Sequence, residues 1–122
     1  MKLREIIRIV EGKVLTKGIN LDLEISCAAS ADLMSDVLAF AKPSALLLTG
    51  LTNPQVVRTA EMADIAAVVF VRGKIPGPET IALAQDKGIP LVAAPYTMFE
   101  MCGRLFENGM GSCDIEPMEP AE

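Results

Sequence analysis

Between Val71 and Pro78 the chain reads Val-Arg-Gly-Lys-Ile-Pro-Gly-Pro, so two cations flank a glycine and two prolines follow. An apolar run, Ala66 to Val71, precedes this loop, and a helical pattern resumes at Glu79. A basic, Gly-containing loop that joins a strand to a helix suits a small anion. Arg72 and Lys74 would grip a phosphate or carboxylate, Gly73 supplies the unusual backbone angle, and the helix start offers free N–H groups. The same residues also make an ordinary connection whose cations are solvated.

Other residues that could reach such a ligand lie where the remaining predicted strands end. Ser30, Thr49 and Thr97 carry hydroxyls, Gly50 an approachable backbone, and Asn53 a side-chain amide. In an open parallel sheet, ligands bind beyond the carboxyl ends of the strands, so these positions and Arg72, Gly73 and Lys74 form the candidate ligand set. The segment Thr49 to Pro54 resembles the start of a phosphate-binding turn, but no GxxxxGK[ST] or GxGxxG pattern follows. The sequence therefore argues against nucleotide hydrolysis. Asp32 and Asp36 stand four apart, a spacing that more often gives a solvated helix face than acid–base chemistry.

No histidine occurs among the 122 residues, which removes the commonest general base and metal ligand. The three cysteines, Cys27, Cys102 and Cys113, have no CxxC spacing. They read as reduced thiols of a cytoplasmic protein. Cys27, at a strand end, is a redox-sensitive candidate without a basic neighbour in sequence, and Cys102 is expected to be buried and inert. No metal and no cofactor are expected, and the chain reads as a non-enzyme.

Net charge is −5, but four of the 16 acids (Asp114, Glu116, Glu119 and Glu122) crowd the last nine positions, leaving 12 acids against 11 bases. A nearly neutral body argues against nucleic acid as the ligand. No secretory leader or apolar run of membrane-spanning length is visible, so a cytoplasmic location without membrane contact is expected. Apolar residues make up 51% and aromatics only 4%, so a core is present and small aliphatic side chains must fill it.

The elements that position these residues follow from apolar periodicity. Lys2 to Val10 has a helical face of Leu3, Ile6, Ile7 and Val10. Lys13 to Thr16 is a short strand, and Leu21 to Ala29 alternates like a strand entering a sheet. Asp32 to Ala41 is a helix with Ser30 as N-cap and Asp32 near its positive end. Ser44 to Thr49 is a buried strand, and Asn53 caps a helix that begins at Pro54 and runs to about Met62. Ala66 to Val71 is another strand, followed by a helix from Pro78 to Asp86 that closes at Gly88. Ile89 to Ala94 is the last strand, and Thr97 caps a final helix that reaches Asn108-Gly109. Met98, Met101, Cys102 and Leu105 form that helix's inner side. This order predicts an α/β fold: a three-layer parallel-sheet sandwich of four strand–helix units, preceded by a short helix and strand. Residues 1–109 form one domain, and residues 110–122 read as an acidic flexible tail.

Three segments together resemble the DRTGG domain family: Met34 to Ala39 ("MSDVLA"), the strand–Arg–Gly–x–x–Pro–x–x–Glu–x–Ile arrangement around Arg72, and Gly88 to Leu105 ("GIPLVAAPYTMFEMCGRL"). The similarity runs over nearly all of residues 1 to 109. Members are similar to the N-terminal domain of HPr kinase/phosphorylase, whose kinase chemistry lies in another domain. They occur beside phosphotransacetylase and between CBS domains of regulated pyrophosphatases, where they help form dimers. The resemblance implies a non-catalytic regulatory or scaffold module, expected as a homodimer and partnered with a larger enzyme or a CBS-type regulatory protein. Relatives often carry Thr-Gly-Gly where this chain has Val71-Arg72-Gly73, which weakens any transfer of a family ligand site. A small-anion or adenine-nucleotide sensor is one alternative. Another is a protein-interaction subunit of an anaerobic redox or metabolic enzyme system, with the acidic tail as docking segment.

Overall fold

The computed structural model describes residues 1–113. Ten elements follow one another: α1 (Leu3–Val10), β1 (Lys13–Val14), β2 (Ala28–Ser30), α2 (Met34–Phe40), β3 (Leu46–Thr49), α3 (Pro54–Met62), β4 (Ala67–Phe70), α4 (Pro78–Lys87), β5 (Leu91–Ala93) and α5 (Met98–Glu107). The five strands form one sheet in the order β1-β5-β4-β3-β2. β2 to β5 are parallel, and β1 pairs antiparallel with β5, Lys13 opposite Ala93. The expected α/β sandwich is therefore present, with one antiparallel edge.

Strand alternation divides the core into two layers. Leu46, Leu48, Ala67, Val69, Val71, Val92 and Ala94 point to the side covered by Leu3, Ile6 and Val10 of α1 and Met101 and Leu105 of α5. Leu47, Val68, Phe70 and Leu91 point to the other side, against Val37, Val56, Val57, Ala60 and Ala84 of α2, α3 and α4. Because β2 to β5 progress in one direction, right-handed crossovers put α2, α3 and α4 side by side on one face. Among the described residues, the helices on the opposite face are α1 and α5, with Ile25 and Met110 packed beside them.

Several sequence signals carry through to geometry. Asn53 accepts from the Gln55 N–H at 3.0 Å, and Thr97 accepts from the Glu100 N–H at 3.3 Å, so both cap their helices. Gly88 ends α4 at φ 70°, in the left-handed region. Gly12 follows α1 where the chain passes against β5, and a Cβ there would collide with Val92. Gln85 fixes the loop after β1 with a two-way bond: its carbonyl accepts from the Lys17 N–H at 2.8 Å, and its amide donates to the Lys17 carbonyl at 2.7 Å.

Three expectations are corrected. Residues 21–25 alternate in burial as expected, but outside the sheet: the Leu3 N–H donates to the Leu23 carbonyl and the Ile25 N–H to the Met1 carbonyl, so this stretch braces the N-terminus. Only Ala28–Ser30 joins the sheet. Ser30 does not cap α2, whose N-cap position is Leu33 without a side-chain bond, because the chain bends at Asp32 and the helix starts only at Met34. Finally, the packed chain does not stop at Gly109. Met110 and Cys113 are buried, the Ala28 N–H donates to the Gly111 carbonyl at 3.0 Å, and the Cys113 N–H donates to the Ala28 carbonyl at 3.1 Å. Residues 111–113 thus line the free edge of β2, and the remainder of the expected acidic tail lies outside the described residues.

Candidate functional site

The loops that leave β2, β3 and β4 meet at one rim of the sheet, where a carboxylate joins the first two and a lysine the third. Asp32 lies before α2. One of its oxygens accepts from the Thr49 hydroxyl at 2.9 Å and from the Gly50 N–H at 2.8 Å. Lys74 closes the group from the β4–α4 loop, its Nζ donating to the Gly50 carbonyl at 3.0 Å. Farther along, the Thr80 hydroxyl at the start of α4 donates to the Thr52 carbonyl at 3.0 Å. The Gly50 N–H bond holds the Asp32 carboxyl below its usual range. The Thr49 hydroxyl adds to this, burial opposes it, and the charges of Lys74 and Arg72 contribute less than either.

Of the residues expected to bind a ligand, Thr49, Gly50 and Lys74 converge, and Arg72 is near enough for its charge to act on Asp32. Asn53 and Thr97 are engaged as helix caps. Ser30 ends β2 with its side chain exposed, one strand away. Asp32 and Asp36 do not share a helix, since only Asp36 lies in α2. The Gly50 N–H that would receive an anion thus already serves Asp32, and the Lys74 ammonium is bonded to the Gly50 carbonyl. Among the described residues, no group of three or more His, Cys, Asp or Glu side chains could hold a metal ion.

The β4 and β5 loops lead to opposite faces of the sheet, the arrangement that opens a ligand crevice in doubly wound folds. Here the crevice is laced shut. The Arg72 N–H donates to the Tyr96 carbonyl and the Gly73 N–H to the Ala94 carbonyl, both at 2.7 Å. Arg72 accepts a left-handed backbone, φ 58°, to make its bond, and Gly73 follows at φ 68°. A left-handed non-Gly residue costs on the order of 1 kcal/mol. Beside this rim, the Tyr96 hydroxyl donates to Glu11, which raises its pKa, and the Arg104 guanidinium lies 3.7 Å from the centroid of the Tyr96 ring. These contacts pin α5 to the end of α1.

Sequence reasoning missed two features. Cys27 and Cys113 are not separate reduced thiols; they form a disulfide with Cα atoms 4.8 Å apart, because residues 111–113 return to β2. Their separation in sequence gave no signal of this. Cys102 is free but half-buried rather than enclosed, and it lines a cavity. That cavity, about 370 Å³, is the second feature. Ala28, Leu48, Cys102, Leu105 and Met110 line it on the α5 side of the sheet, and Phe99 and Phe106 stand at its margin. Phe99 is 90% exposed and Phe106 75%. Their spacing of seven was a readable signal: with Met101 and Leu105 assigned inward, both rings fall on one outer stripe of α5.

Residues 5–107 match the family model described as the DRTGG domain. Among solved structures, the fold is similar to the CBS and DRTGG domains of the regulatory region of Clostridium perfringens pyrophosphatase, complexed with the activator diadenosine tetraphosphate. The TM-score is 0.71 at 14% identity, and the match covers 85% of this chain and 45% of that chain. The chain thus spans less than half of that structure's length, and at that identity the likeness establishes the fold. No curated protein matches the sequence.

Proposed function

The chain belongs to the DRTGG domain family, and from that premise we propose that it is a non-catalytic regulatory or scaffold module that works by association, as a homodimer. The observation that carries this reading is the outer stripe of α5. Two largely exposed phenylalanines beside an apolar cavity make the kind of surface that marks a contact site. A second copy covers it, and a larger enzyme or CBS-type protein is the further partner. Sedimentation velocity at micromolar concentration tests this. The expected mass is twice the 13.0 kDa chain, and Phe99→Glu with Phe106→Glu should return the monomer without loss of folded structure. A wild-type monomer across the concentration range sinks the dimer reading.

A second reading, a sensor of a small anion or adenine nucleotide at the strand ends, draws support from the activator bound in the pyrophosphatase structure. At this rim an anion must displace Asp32 to reach the Gly50 N–H, and draw Lys74 from the Gly50 carbonyl. Titration calorimetry with a nucleotide panel decides the matter: no heat with either the wild type or Asp32→Asn eliminates the rim as a site.

A further inference from the structure

The edge of β2 is closed by a segment that a disulfide ties to it. Cys27 lies one residue before β2, and Cys113 follows the segment that runs along its free side. Both are buried, at 7% and 4% exposure, in the layer formed by α2, α3 and α4. Among the described residues, apart from the disulfide and the burial of Met110 and Cys113, two backbone hydrogen bonds hold residues 111–113 on Ala28. The same short segment separates two cavities. Met110, Gly111 and Ser112 wall the one on the α5 side, and Ser112 and Cys113 wall another of about 320 Å³ on the α2 side, with Val37 and Phe40.

We propose that the Cys27–Cys113 disulfide is a redox-operated clasp that sets whether residues 111–113 cover the β2 edge. A dithiol reductant opens it by thiol–disulfide exchange. One thiolate of the reductant attacks a sulfur of the pair, the S–S bond breaks, and the departing sulfur takes a proton. The second thiol of the reductant then attacks the mixed disulfide and releases the other cysteine. Two protein thiols and one reductant disulfide result, and an oxidised dithiol reverses the exchange. In the open state residues 111–113 keep, among the described residues, their two backbone bonds and local burial. The segment frays, exposing a row of unpaired strand groups on β2. The parallel pairings of β3, β4 and β5 do not involve it.

Hydrogen exchange on the full chain tests this, comparing protein equilibrated with oxidised and with reduced dithiothreitol. The redox state is read by alkylation and mass. The expected result is a single intramolecular disulfide in the oxidised form. On reduction, exchange should quicken at least tenfold at the Ala28 and Cys113 amides and become at least tenfold faster there than at Leu47, Val68 and Val92, which stay protected. Cys27→Ser with Cys113→Ser should reproduce the reduced pattern, and Cys102→Ser should leave the response intact. If the double variant fails to fold, reduction of the wild type alone decides. No Cys27–Cys113 linkage under oxidised dithiothreitol, equal protection in the two forms, or loss of protection throughout the sheet would each overturn the clasp.

Discussion

Removing the Asp32 carboxylate should loosen the rim in a way that depends on pH. Its two donors, the Thr49 hydroxyl and the Gly50 N–H, sit at 2.9 and 2.8 Å. Hydrogen bonds to a charged group contribute about 1.5–3 kcal/mol each when buried. Asp32 is exposed, which brings such interactions toward the 0.2–1 kcal/mol range measured at surfaces, roughly. Thr49 is fully buried, and without Asp32 its hydroxyl retains only the bond it accepts from the Leu51 N–H at 3.1 Å. Together these terms give about 2 kcal/mol for Asp32→Ala and about 1 kcal/mol for Asp32→Asn, which keeps an acceptor oxygen. For a chain of this size that is a fall in Tm of about 8 and 4 °C. The folded-state pKa of Asp32 is lowered from 3.8. The charge-dependent part is therefore fully present above that value and disappears as pH falls through the folded one. Thermal melts followed by circular dichroism from pH 7 downward should show the wild-type advantage over Asp32→Asn constant near neutrality and shrinking below about pH 4. An advantage absent at pH 7, or undiminished in acid for as long as the fold survives, would refute the role given to the carboxylate.

Gly12→Ala should cost about 1–3 kcal/mol, read by urea denaturation, since the new methyl meets Val92 in a packed core; a neutral result would mean the α1–β1 turn moves freely. Reducing Cys27–Cys113, a link across a sequence separation of 86, should lower stability by about 4 kcal/mol if chain entropy dominates. The same denaturation with and without reductant measures it, and overlapping curves would show that the link adds nothing. Asn53→Ala should lower Tm by a few degrees through loss of about 1 kcal/mol at the α3 cap, and an unchanged melt would dismiss the cap.

Local signals were legible where the chemistry was local. Pro54 and Pro78 at helix starts, Asn53 and Thr97 as caps, and Gly88 as a left-handed stop each act within one turn, and each occupies its expected place. The apolar runs at Leu46–Thr49 and Ala67–Phe70 became fully buried strands because helices cover both sides. What failed depended on partners distant in sequence. Leu21 to Ile25 has the alternation of a strand, yet its partner is the N-terminus. Asp32 reads as a helix-dipole acid, but its donors belong to β3 and the loop beyond. The ligand set was assembled from strand ends that do share a rim, though nothing in the sequence says that an internal acid already occupies its centre.

The one-way progression of β2 to β5 has a consequence for how the chain comes together. Each of these strands pairs with the next one made, so the middle of the sheet can zip along as a growing polypeptide emerges. Both margins have to wait. Lys13 finds Ala93, and Ala28 finds Ser112, only after about 80 further residues have been made. Pulse labelling during refolding should therefore protect the Leu47 and Val68 amides ahead of those of Val14 and Ala28. Until Ala93 and Ser112 arrive, a nascent molecule carries two raw selvedges, and unpaired strand edges of that kind are where neighbouring copies tangle.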